Sequence, residues 1–212
     1  MLLSKLFQFV FYIVGKYSID ESHGVSHSMN TLYYADKILE SELETTPYLK
    51  KHERIIYISA VVHDMCDKKY MNESEGILEI EQFLRKNDDG LSLKNFEVET
   101  VKKIISTMSY STVKKNGYPD LGEYQKAYHI VREADLLTAY DFDRSVIYHM
   151  NMNRASLHDS FLNAEDIFKK RVLMHNRDKL FITPYSNFES RILHMKAIRR
   201  MEYWKNILKK TI

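Results

Sequence analysis

The sequence predicts an all-α fold, a helical bundle with additional helices toward its C-terminal end. Three observations predict it. Only six glycines and three prolines interrupt 212 residues, so long stretches run without a breaker. Apolar residues recur within those stretches at helical spacing. The period-two alternation of half-buried strands is absent, which argues against a sheet-based nucleotide fold. Neither G-x-x-x-x-G-K-[ST] nor G-x-G-x-x-G occurs, so any phosphate chemistry must rely on side chains and metal.

Helices are expected over residues 2–16, 27–43, 51–65, 73–87, 95–110, 121–141, 142–153, 158–177 and 187–209. The first holds an apolar run from Leu6 to Val14, broken only by Gln8. A spanning helix needs roughly 20 apolar residues, so this one is too short to cross a membrane. Lys5 alone is a weak basic region and no A-x-A cleavage pattern follows, so a signal peptide is not indicated. It is read as a buried helix capping the core. A membrane-surface or partner-binding helix through residues 2–14 is the second reading.

The second helix carries Leu32, Ala35, Ile38 and Leu39 on one side, with Ser22 or Ser26 placed to cap it. The third, with Ile55, Ile56, Ile58, Ala60, Val61 and Val62, is apolar on most sides and therefore central. Asn72, with Glu75 three positions on, starts the fourth. Pro119-Asp120 precedes the helix from Leu121, whose core side includes Ile130, Val131, Ala134, Leu136 and Leu137. The helices over 142–153 and 158–177 rest on the lack of breakers. Asn187, Phe188 and Glu189 open the last helix, where Tyr203, Trp204, Ile207 and Leu208 suggest core or a homo-oligomer contact. Loops are expected at Thr45–Lys50, Asn87–Leu93, Thr112–Asp120 and Asp178–Ser186. With no flexible linker and no repeat, residues 1–212 read as one domain. Its parts are an N-terminal helix (1–17), a core at about 20–145 and a C-terminal helical extension (146–212).

A net charge of +2, with both signs alternating along the chain, gives no reason to expect specific nucleic-acid binding. The single cysteine, Cys66, excludes an internal disulfide and a Cys-rich zinc site, and fits a reducing compartment such as the cytoplasm. Nine histidines carry more information, because imidazole is a versatile metal ligand.

Three patches hold candidate chemistry. AVVHDMCDKKY drives an apolar helix into His63 and Asp64, then Asp67, Lys68 and Lys69. Alone, it also reads as a polar helix end emerging into solvent, with the lysines complementing the helix C-terminus. ESHGVSHSMNTLYYA places His23 and His27 four apart, each of which also reads as a histidine satisfied by backbone. HIVREADLLTAYDFDR sets Asp135 in an apolar stretch, where a carboxylate is costly unless paired. Arg132, three positions earlier, is one partner for it and a metal is another. Taken together, His27, His63, Asp64 and Asp135 form a set of two imidazoles and two carboxylates on separate helices. Such a set suits a divalent ion with open positions for water and substrate. The ion would make a hydroxide nucleophile available near neutral pH.

These residues resemble the H…HD…D signature of the HD-domain metal-dependent phosphohydrolases. H-G-V-S-H resembles the H-x-x-x-H entry of that family, A-V-V-H-D its apolar run before the HD pair, and E-A-D-L-L-T-A-Y the segment carrying its last Asp. The resemblance spans about residues 20–145 and is to the small single-domain members. It implies an HD-domain helical bundle and hydrolysis of a phosphoester or phosphoanhydride, with a nucleotide as the expected substrate. It implies His27, His63, Asp64 and Asp135 as ligands of one divalent ion, manganese first, with cobalt, nickel, magnesium, iron or zinc as the others. By the same resemblance Asp67 orients the water or protonates the leaving oxygen, with Asp64 in the catalytic set. Lys68 and Lys69 then contact phosphate oxygens, and His23 bonds a ligand or the substrate. The helix over 95–110 has no histidine where two-metal and oxygenase members place extra ligands, so one metal is expected; Ser106, Ser109 and Tyr110 stand there instead. His129 is read as structural, and His175 to Asp178 as a charged helix end. A tyrosine near 110, 118 or 140 is placed to stack a nucleobase. The rival reading is a non-catalytic helical module that binds a nucleotide or a partner protein around a structural metal.

Overall fold

The computed structural model describes residues 2–86 and 93–210, and these are all-α, with no strand among them. In chain order the helices are α1 (Leu2–Tyr17), α2 (Val25–Leu43), α3 (Glu53–Val62), α4 (Glu73–Arg85), α5 (Asn95–Thr107), α6 (Tyr110–Asn116), α7 (Gln125–Thr138), α8 (Phe142–Asn153), α9 (Leu157–Lys170) and α10 (Pro184–Lys210). Short 3-10 turns at Pro47–His52, Gly122–Tyr124 and Val172–Met174 link them.

Helix α3 is the centre. Ile55, Ile56, Ile58, Ser59, Ala60, Val61 and Val62 are all buried, and only Glu53, Arg54 and Tyr57 reach solvent in part. Helices α1, α2, α5 and α7 pack around it, and α2 also lies along α7. The central position follows from composition, since a helix apolar all round has nowhere else to go. Helix α1 buries Leu6, Phe9, Val10 and Ile13, the spacing of one helical face. Phe9 stacks on Phe83 of α4 with ring centroids 4.3 Å apart. Phe11 and Tyr12 point the other way and are 62% and 58% exposed. No described helix is long and apolar enough to cross a membrane.

Helix α10 is fastened by a buried carboxylate. Glu133 Oε1 accepts from Ile182 N at 2.8 Å, and its Oε2 accepts from Thr183 N at 3.1 Å and Thr183 Oγ1 at 2.7 Å. Thr183 Oγ1 also accepts from Ser186 N at 3.4 Å. This holds the chain at the start of α10, which packs on α2 and α7.

Several boundaries differ from expectation. The last helix opens at Pro184 rather than Asn187, because Thr183 serves its first turn and proline fits the first helical position. Helix α2 begins at Val25 with Gly24 as its N-cap and no side-chain cap. The Ser22 hydroxyl is engaged elsewhere, 2.6 Å from His23 Nδ1. Helix α3 stops at Val62, not 65, because Met65 N turns back to Val62 O at 3.0 Å and Asp67 N to Asp64 O at 3.2 Å. The expected loop at Thr112–Asp120 begins with a helix: Ser109 Oγ accepts from Thr112 N at 3.2 Å to start α6, and Gly117 at φ +76° ends it. Helix α9 stops at Lys170, seven residues short, where Arg171 leaves helical geometry. The fourth helix ends at Arg85 rather than 87, with Lys86 already extended, and the expected loop over Asn87–Leu93 falls mainly in residues 87–92, outside those described.

Candidate metal centre

Helix α3 ends at the site, and its last turn sets the first imidazole. His63 Nδ1 lies 2.9 Å from Ala60 O, three residues back on the same helix. A carbonyl only accepts, so Nδ1 donates to it, and Nε2 is the ring nitrogen left for a metal ion or, in its absence, for a proton. His27, in the first turn of α2, brings its Nε2 to 3.0 Å from His63 Nε2. The same His27 atom is 3.0 Å from Asp64 Oδ2 and 3.5 Å from Asp135 Oδ1. His63 Nε2 in turn is 3.3 Å from Asp64 Oδ1 and 3.6 Å from Asp135 Oδ1. The His27 side chain is fully buried and that of His63 is 3% exposed.

His27, His63 and Asp64 form a group that can hold a metal ion. Asp135, from α7, adds an oxygen beside both imidazoles. The chemistry of the set fits a cation. Ring nitrogens and carboxylate oxygens are drawn to within 3.0–3.6 Å of one another, and buried Asp64 Oδ2 makes no well-aligned hydrogen bond, its neighbour being His27 Nε2 at 3.0 Å. Such a cluster is repulsive unless a positive charge sits among it. The electrostatics agree. Burial works against an imidazolium at His63, yet Asp64 and then Asp135 outweigh it and raise its pKa to about 9. Burial also opposes ionisation of Asp64, but His63 and His27 hold its carboxyl well below the usual range. Asp135 is likewise held below the usual range against the cost of burial, by His27 and His63, whose Nε2 atoms lie 3.5 and 3.6 Å from its Oδ1.

Arg132 is not the partner of Asp135. Its Nη2 donates to Leu180 O at 2.6 Å and lies 3.3 Å from Glu133 Oε1. The pair suggested by sequence spacing does not form, because Arg132 is drawn to the buried Glu133 and the segment before α10.

A cavity of about 390 Å³ opens onto the cluster. His63, Asp64 and Asp135 line it together with Asp67, Lys68, Lys69 and His23. Asp67 lies in the turn after α3. Its Oδ1 accepts from Lys69 N at 2.9 Å and its Oδ2 from Lys69 Nζ at 3.1 Å. Lys69 Nζ is also 2.9 Å from His23 Nε2, and His23 Nδ1 is 3.1 Å from Tyr70 Oη, which donates to Asp20 Oδ2 at 2.5 Å. Burial lowers the His23 pKa to about 4; Asp64 opposes this, and Lys69 and Arg144 reinforce it. A neutral His23 therefore accepts from Lys69. Lys68 is exposed and makes no ion pair among the described residues.

Two cations join the cavity that local motifs did not single out. Arg144, in the first turn of α8, donates to Ser22 O and, at 3.1 Å, to Thr138 Oγ1. Arg171, where α9 breaks, sets its guanidinium 4.3 Å from the ring centroid of Tyr110 and has no carboxylate partner among the described residues. Both line the cavity. Neither arginine stands out in a local motif, because each reaches the cavity only through the packing of α8 and α9. Other candidates lie apart. His129 bonds Gln125 at 3.1 Å, and Ser106 Oγ donates to its own helix at Lys103 O. His175 is fully buried, with the rings of Tyr110, Tyr140 and Phe181 around it.

No family model, curated protein sequence or solved structure matches this chain.

Proposed function

We propose that this chain is a metal-dependent phosphohydrolase with an HD-type site, cleaving a phosphoester or phosphoanhydride bond of a small phosphorylated molecule, with nucleotides as the leading substrate class. The observation that carries the reading is the convergence of His27, His63, Asp64 and Asp135 at one point, the last three also lining a cavity that holds several cations. His27, His63, Asp64 and Asp135 would hold one divalent ion, manganese first. When bound there, such an ion offsets phosphoryl charge and acidifies a water molecule.

The chain's own residues supply the rest. Lys68, Arg144 and Arg171 bind phosphate oxygens, the two guanidinium groups being suited to paired contacts. Lys69, held between Asp67 and His23, orients the Asp67 carboxylate. Asp67 positions the attacking water, takes its proton and returns a proton to the leaving oxygen. The HD resemblance rests on the same four residues whose donors cluster, and both support the metal assignment.

The test is turnover by the full-length protein, stripped with chelator and reloaded separately with Mn, Co, Ni, Mg, Fe or Zn. Release of phosphate and pyrophosphate is followed over nucleoside mono-, di- and triphosphates and simple phosphate esters. Metal-dependent release that Asp64→Ala abolishes supports the hydrolase. Tight metal binding with no release from any substrate instead supports the non-catalytic binding module.

A further inference from the structure

Ser22, His23, Asp67 and Lys69 line one side of the metal cavity. Behind them, outside that lining, stand Asp20 in the connection from α1 to α2 and Tyr70 in the connection from α3 to α4. One chain of hydrogen bonds joins the two connections. Lys69 Nζ lies 2.9 Å from His23 Nε2, His23 Nδ1 lies 3.1 Å from Tyr70 Oη, and Tyr70 Oη lies 2.5 Å from Asp20 Oδ2. Ser22 closes the chain on itself: its Oγ is 2.6 Å from His23 Nδ1, and its N donates to Asp20 Oδ1 at 2.8 Å.

Both ends of this chain dictate the same direction. An ammonium has only donors, so His23 Nε2 accepts from Lys69 and the neutral ring carries its proton on Nδ1. An ionised carboxylate has only acceptors, so the single hydroxyl proton of Tyr70 goes to Asp20, and Tyr70 Oη turns a lone pair to His23 Nδ1. Burial opposes ionisation of Asp20, but hydrogen bonds from Ser22 and Tyr70 hold its carboxyl below the usual range. Every donor therefore points from Lys69 toward Asp20. With the proton on Nε2 instead, His23 would face the ammonium with a donor and lose it. Lys69 depends on that partner, because its side chain is long and 41% exposed. Its other neighbours are Asp67 Oδ2 at 3.1 Å and the Tyr148 ring, 5.3 Å from Nζ.

We infer that Asp20 and Tyr70 are positioning residues: they fix His23 in its Nδ1–H tautomer, so that Nε2 holds Lys69 against Asp67. Both act from outside the cavity, through His23. The consequence for catalysis rests on the phosphohydrolase reading of Asp67, whereas the tautomer and its control do not.

Asp20→Asn tests the direction of the chain. Its amide oxygen keeps the bond from Ser22 N, which turns the NH2 toward Tyr70 Oη. Tyr70 then gives its own proton to His23 Nδ1, and the imidazole proton moves to Nε2. Tyr70→Phe cuts the link, so adding Asp20→Asn to it is expected to change nothing further. Proton–nitrogen correlation spectra of the imidazoles report the tautomer in the full-length protein. The His23 signal is assigned by its loss in His23→Gln, and thermal melts check that each variant folds. Wild type is expected in the Nδ1–H form and Asp20→Asn mainly in the Nε2–H form. In the turnover arm, kcat of Asp20→Asn is expected to fall about tenfold with KM within about twofold, as for a catalytic group displaced slightly. His23→Gln, whose amide oxygen accepts from Lys69 and whose NH2 donates to Tyr70, is expected to retain more kcat than His23→Leu. An Nε2–H tautomer in wild type, or a folded Asp20→Asn protein with the wild-type tautomer or the wild-type kcat, overturns the inference and leaves the hydrolase intact. A tautomer that reverses in Asp20→Asn, in a protein that hydrolyses nothing, removes the hydrolase reading and leaves the positioning of Lys69 standing.

Discussion

Asp64 and Asp67 are carboxylates on one turn of chain, yet their neighbours divide their roles. Asp64 touches both imidazoles, whereas Asp67 is held by the backbone and side chain of Lys69. Replacing Asp67 with Asn keeps the shape and removes the basic group. Metal affinity is then expected to stay within about twofold while turnover falls by about 10²–10⁴, the usual worth of a positioned acid-base group. Calorimetry beside steady-state kinetics checks this, and a large loss of metal affinity would reassign Asp67 as a ligand. His63, Asp64 and Asp135 were legible because each ends or interrupts an apolar run, whereas His27, set among serines, was legible only together with them and through the family resemblance. Arg144 and Arg171 were not, since each depends on where a helix end lands. The Arg132–Asp135 pair misled because spacing along a helix says nothing about Glu133 and Leu180 competing for the same guanidinium.

At the scale of elements, α1 and α4 hold the site's surroundings in place. The four buried side chains of α1 are Leu6, Phe9, Val10 and Ile13. At about 1.5–3 kcal/mol each, their burial is worth roughly 6–12 kcal/mol, comparable with the whole stability of a domain. Deleting residues 2–17 is therefore expected to give insoluble or unfolded protein, read by solubility and circular dichroism. A soluble, folded deletion that loses only its affinity for vesicles would instead identify α1 as a membrane anchor. Gly76 lets α4 approach the turn carrying Cys66 and Asp67. A Cβ there would stand 2.7 Å from Cys66 Cα and 2.7 Å from Met71 Sδ. Alanine gains about 1 kcal/mol in helix propensity, but overpacking costs about 1–3 kcal/mol and here meets backbone. Gly76→Ala should lower the denaturant midpoint; an increase would show that the turn yields freely. The ten-residue α3 was legible from its dense apolar patterning alone. The short α6 was missed, although Ser109 and Gly117 bracket it, because a seven-residue helix shows too little periodicity.

At the scale of the molecule, α2, α3 and α7 bring residues 27, 63, 64 and 135 to one point, and that packing fixes how the protein responds to pH. His175 is buried with both ring nitrogens unpartnered among the described residues, and burial, reinforced by Arg171, lowers its pKa from 6.5 to about 4. Folded, it stays neutral where the unfolded chain takes up a proton. The stability this contributes is present above pH 6.5 and is lost as pH falls toward 4, by roughly 3 kcal/mol at most. His175→Phe, which keeps a ring among rings, is expected to flatten the fall in urea midpoint between pH 6.5 and 4; an unchanged slope would place that proton uptake elsewhere. The central claim is that the cluster binds one divalent ion. Its most direct test is calorimetric titration of chelator-stripped protein with Mn²⁺, comparing wild type with Asp64→Ala. One ion per chain is expected, with affinity at least about 100-fold weaker in the variant, since even outer partners of metal ligands cost 10–100-fold. No binding by wild type, or equal binding by the two proteins, would contradict the account.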